Sequence, residues 1–169
     1  ICGIKIFMGS STGDLLVNES NALKTIFDNT AGLIAVHAED ETRMIERKKL
    51  IEGRTDMAAH AEWRDDETAL IATKRAVGYA KDSGHRLHVL HLTSGVEADW
   101  LDGITSLHGE EGKAHITTEV LPQHLTFNEK DVARDSVDIV YVSDEAISAV
   151  VGTKLYPFLL KKFGIKHGE

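Results

Sequence analysis

The stretch RLHVLHLTS, residues 86–94, packs Leu87, Val89, Leu90 and Leu92 around two imidazoles and runs into a Thr-Ser-Gly turn. An apolar run this short between turn signals reads as a buried strand. On both sides the pattern changes to helix. Residues 66–84, DETALIATKRAVGYAKDSG, carry Leu70, Ile71, Ala76 and Val77 as an apolar stripe, with Asp65 or Asp66 as cap and a glycine at the end. Residues 96–109, VEADWLDGITSLHG, read as another helix, and AHITTEVLP, 114–122, as the next strand. Upstream the alternation repeats: strand CGIKIFM (2–8), turn GSSTG (9–13), helix ALKTIFDNT (22–30), strand GLIAVHAED (32–40) and helix TRMIERKKLIEG (42–53). A loop is expected around DMAAHAEW, 56–63.

Nearly continuous apolar strands alternating with helices imply a parallel sheet, hence an α/β fold. No G-x-G-x-x-G turn follows any strand, which disfavours a dinucleotide-binding doubly wound sheet and favours a (β/α)8 barrel. The pattern is clear over residues 1–130. In 131–169, VDIVYV (137–142) reads as a strand and 143–164 as a helix interrupted near Pro157.

The composition narrows the partners. With 169 residues and 42% hydrophobic content the chain can bury a core. A net charge of -8, from 27 acidic and 19 basic residues, offers no footprint for nucleic acid or an anionic membrane. No apolar run reaches the roughly 20 residues of a membrane span, and residues 1–7 lack the features of a signal peptide. The single cysteine, Cys2, fits a reducing compartment, so the reading is cytoplasmic. The chain opens on Ile1 directly before a strand, which reads as a fragment or processed product.

Three strands carry a metal-capable side chain: Lys5 in mid-strand, and His37 and His91 at strand ends. In a barrel, active sites assemble at that carboxyl end. Strand alternation separates His91 from His88, and position along the strand selects His91, grouped on one face with Leu87 and Val89; His88 is expected to point toward the helices. Imidazoles from different strands suit zinc or a similar ion. A lysine among apolar residues is costly while charged, and burial favours a neutral amine that can add carbon dioxide to become a bidentate carbamate. Taken singly, each histidine is more simply a hydrogen-bonded strand residue and Lys5 a snorkelling or paired cation. His60, His85, His108, His115 and His167 are assigned no chemistry. Glu39 could orient a ligand or simply suit a helix start.

GIKIFMGSSTGDLLV, AVHAEDE, HAEWRDDETALIATKRAV, RLHVLHLTS and TTEVLPQHLTF together resemble, in order and spacing, the dihydroorotase family of cyclic amidohydrolases, which also includes allantoinases and hydantoinases. The resemblance covers residues 3–130. It implies the middle of a metal-dependent (β/α)8 hydrolase barrel that interconverts carbamoyl aspartate and dihydroorotate, a small cyclic amide, in pyrimidine synthesis. By position Lys5 looks like the carboxylated bridging lysine, and His37 and His91 look like ligands of one of two zinc ions. His124 in LPQHL matches the second histidine of the family's PHHL, where Gln123 replaces the first. The family's H-x-H pair and its last-strand aspartate motif occur nowhere in the chain. The resemblance therefore implies an incomplete site, weak or inactive alone, and association with further copies or a complementary chain. The alternatives are an allantoinase- or hydantoinase-like hydrolase, or a non-catalytic partner subunit.

Overall fold

A computed structural model of the protein describes residues 2–11, 14–56, 58–102, 104 and 115–126. The chain divides into two units, Ile1–Ala133 and Arg134–Glu169, and all described residues belong to the first. The strand and helix expected within 131–169 lie outside the described residues.

Four strands form one sheet in the order β1 (Gly3–Phe7), β2 (Leu33–His37), β3 (Leu87–Val89) and β4 (Ile116–Thr118). Every neighbouring pair is parallel. Parallel strands need crossovers, and helices supply them: α1 (Ser20–Asn29), then α2 (Glu41–Lys48), α3 (Ala58–Trp63) and α4 (Asp66–Ser83), then α5 (Gly95–Asp102). A short helix α6 (Pro122–Thr126) follows β4. The stretch expected as a loop, 56–63, thus contains α3, whose Ala59 is buried and whose Trp63 indole donates to the Met44 carbonyl at 2.8 Å. Tertiary packing, which periodicity cannot register in six residues, orders this turn.

Strand alternation sorts the sheet into two faces. Ile6, Ile34, Val36, Leu87, Val89 and Ile116 are buried in one cluster with Leu23 and Phe27 of α1, Ala72, Ala76, Val77 and Ala80 of α4, and Leu101 of α5. That face is the core. The register Lys5↔Ala35↔His88↔Thr117 and Phe7↔His37 sets out the opposite face, where Lys5 is exposed and Ala35, His37 and His88 are half-buried.

Helix ends follow local chemistry. The Asp65 side chain accepts from the Thr68 backbone N–H, making it the N-cap of α4 and resolving the choice between Asp65 and Asp66. Gly84 closes α4 at φ 67°, its N–H returning to the Ala80 and Lys81 carbonyls, a conformation glycine adopts without steric cost. At the sheet's carboxyl end, a Cβ on Gly9 would lie 2.6 Å from the Glu39 Cβ. The turns after β1 and β2 touch there because residue 9 lacks a side chain.

Candidate metal centre at the carboxyl end of the sheet

His37 is the last residue of β2, and its Nδ1 lies 3.1 Å from the Nε2 of His91. Its other nitrogen, Nε2, donates to Glu39 Oε2 at 2.7 Å. A neutral imidazole has one N–H, so the bond to Glu39 leaves the Nδ1 lone pair turned toward His91. Glu39 in turn pairs with Arg64, whose Nη2 donates to the Ser10 carbonyl at 2.8 Å. Ser10 donates through its backbone N–H and its hydroxyl to the two oxygens of Glu41, each at 2.6 Å. Burial raises the Glu39 carboxyl, but the hydrogen bond from His37 and the Arg64 charge outweigh it and hold the group below its ordinary value.

His91 reaches this point by a route that alternation does not foresee. β3 ends at Val89, and His91 takes φ 39°, the left-handed region. Leu90 N–H bonds to the Val36 carbonyl and Leu92 N–H to the Glu119 carbonyl, so the backbone stays tied on both sides of the kink. An unbroken strand would send His91 to the helix face with the buried Leu87 and Val89. Leu87 and Val89 thus lie on the helix face and not beside His91, and His88 does not point toward the helices as expected. It is His88 that shares the open face with Lys5, bonding Thr117 Oγ1 at 2.8 Å and lying 3.4 Å from Glu119. His91 joins His37 because its backbone turns.

Lys5 is exposed, contrary to the expectation of a buried amine, because none of the described helices covers its face; its Nζ sits 4.6 Å from the centre of the Phe7 ring. That ring lies 5.8 Å from the ring of His37. His124 is turned elsewhere, its Nδ1 donating to the Leu92 carbonyl at 2.9 Å, and burial holds the imidazole below its ordinary pKa. His60, given no role from sequence, interacts electrostatically with Glu39 and Arg64; burial first, then the Arg64 charge, lowers its pKa. Arg64 is the main residue that sequence reasoning missed. Its only local signal is a cation between the short helix α3 and the Asp65 cap.

Two nitrogen ligands of one zinc-sized ion, each at about 2.0–2.1 Å, stand about 3.3 Å apart in tetrahedral geometry, close to the separation of His37 and His91. The distance matches that of two ligands of one ion, although here the two nitrogens face each other in a hydrogen bond; Glu39 stands behind His37 as a carboxylate does behind a histidine ligand. Among the described residues no group of three or more His, Cys, Asp or Glu side chains is placed to hold an ion. Nor is any helix there long and apolar enough to cross a membrane.

No protein-family model matches the chain. It is 27% identical to an allantoinase of Bacillus velezensis over 135 residues, 76% of this chain and 29% of that protein. To a dihydroorotase of Methanosarcina acetivorans it is 29% identical over 133 residues, 77% and 28% of the two chains. The solved L-hydantoinase (dihydropyrimidinase) from Arthrobacter aurescens superposes with a TM-score of 0.66 at 29% identity over 75% of this chain and 28% of that one. These similarities support a partial chain of the cyclic amidohydrolase family. It spans less than a third of these relatives, and its four parallel strands, with described helices on one face, match an arc of the hydantoinase barrel.

Proposed function

We propose that this cyclic amidohydrolase segment supplies part of the metal centre of a dihydroorotase-type enzyme, which opens or closes a small cyclic amide. The observation that carries the reading is the approach of His37 Nδ1 to His91 Nε2 at the carboxyl end of the sheet, with Glu39 on the far side of His37. His37 and His91 would hold the ion; Lys5 enters as a further ligand, as a carbamate, through the family resemblance and not through burial, since it is exposed here. A zinc ion so held supplies Lewis acidity and a bound water of lowered pKa. In ring opening, water adds to the amide carbonyl, the ring C–N bond breaks, and the departing nitrogen takes a proton. Within this chain, His37 and His91 orient and Glu39 fixes the proton on His37 Nε2. Neither an H-x-H pair nor the family's last-strand aspartate motif occurs in the sequence. The donors needed for full activity would come from further barrel strands.

The purified chain is expected to bind about one equivalent of zinc, weakly, with little or no ring opening. Metal analysis and a hydrolysis assay measure both. His37→Ala and His91→Ala should each abolish the bound zinc; metal content unchanged in either would remove the ligand assignment. The Bacillus allantoinase similarity favours a second reading, with allantoin or a hydantoin as the substrate of the complete enzyme. A panel of dihydroorotate, allantoin and a hydantoin, assayed with the chain in its complete barrel, separates the two.

A further inference from the structure

Arg64 is held more firmly than a surface ion pair requires. One amino group of its guanidinium meets Glu39 and the other donates to the Ser10 carbonyl, so the fork spans the turns after β1 and β2. Its carbon centre stacks 4.6 Å from the Trp63 ring centre, and that indole is pinned to the Met44 carbonyl. Its backbone N–H bonds to the His60 carbonyl at 2.9 Å. Only 16% of its side chain is exposed, and the same holds for Glu39. A planar cation with several donors can hold two divergent acceptors at once; a lysine ammonium in its place would be a mobile point charge without a stacking plane.

The Glu39 carboxylate would have little reason to stay where it is without that cation. A half-buried carboxylate stripped of its partner is driven toward water. His37 would then lose the acceptor that keeps its proton on Nε2, and the Nδ1 lone pair would face His91 only part of the time. We propose that Arg64 is a positioning residue: through Glu39 it locks His37 in the Nε2–H tautomer, and through Ser10 it locks the turn after β1 to the same point. The lock matters to function only if the ligand reading above holds; its existence does not depend on any metal.

The test is the tautomer itself, read from imidazole nitrogen resonances of the 15N-labelled, metal-free chain above the pH range where imidazoles titrate. In the parent chain the two ring nitrogens of His37 should show the well-separated shifts of a single Nε2–H form. In R64M they should move toward a common averaged value, and in R64K by a smaller amount. Titration with zinc alone should show affinity falling about 10- to 100-fold in R64M. An unchanged His37 tautomer in either folded variant would overturn the proposal. So would failure of both variants to fold, because Arg64 would then be needed for the fold itself. A parent chain that takes up no zinc would overturn the ligand reading instead, leaving the tautomer comparison to decide the role of Arg64.

Discussion

At the scale of single residues, the site draws on strain and on burial. His91 sits at φ 39°, where a side chain with a Cβ costs about 1–2 kcal/mol that glycine avoids. His91→Gly should therefore be more stable than His91→Ala by about 1 kcal/mol in urea titrations, although both lose the imidazole. Equal midpoints for the two variants would mean that the kink carries no strain. Glu97, in α5, is buried and accepts a hydrogen bond from the Thr73 hydroxyl. Burial pushes its carboxyl up to about 7; the hydroxyl opposes this, and the charges of Asp66 and Glu39 add to it. A carboxyl whose folded pKa lies above its unfolded value of 4.5 favours the native state while protonated, so its contribution is present below about pH 4.5 and is lost as pH rises through 7. The chain should lose stability on the order of 3 kcal/mol from this group between pH 5 and 8. Glu97→Gln should flatten that slope; an identical slope in the variant would mean that Glu97 titrates normally.

At the scale of elements, what could be read from the chain was what short-range physics controls. The four strands and α1, α2 and α4 are legible because hydrophobic runs, an Asp cap and a glycine stop act within a few residues. α3 was not, since six residues ordered by Trp63 against Met44 leave no periodic trace. For the same reason His37 and His91 could be named as neighbours while the face of His91 was misjudged: strand parity holds only while the strand continues, and β3 stops at Val89. The apolar strand neighbours of Lys5 predict burial, but the described helices cover one face of the sheet and Lys5 stands on the other. Asp65 shows how one element boundary can serve two purposes. It caps α4 through Thr68 and also holds the Arg43 guanidinium at 2.9 and 2.6 Å, joining α2 to α4. Asp65→Asn should keep most of the cap and weaken the tie. Asp65→Ala should lose both and cost about 1–2 kcal/mol, read from thermal or urea unfolding. If the two substitutions cost the same, the cap contributes nothing.

At the scale of the molecule, the described unit is an arc whose two faces are treated differently. Helices seal Ile34, Val36, Leu87 and Val89 from water, while the opposite face leaves Lys5 exposed and Leu33, Ala35 and Leu90 half-buried. Among the described residues, the outer edge of β1 carries only the bridge from Phe7 to Leu16, and β4 pairs with β3 alone. Among the described residues these parallel edges are largely open, and open edges flanking a partly apolar face favour pairing with another chain. Net charge opposes this, since at -8 two copies repel, and added salt should weaken that repulsion. The chain is therefore expected to self-associate at micromolar concentration, more strongly as ionic strength rises. Sedimentation velocity over a range of concentration and salt measures it. Leu33→Lys, which places a charge on the open face away from the core, should shift the population toward monomer without lowering helix content. A chain that sediments as a single monomer at every salt concentration and unfolds cooperatively would show that this face and these edges are satisfied within one chain.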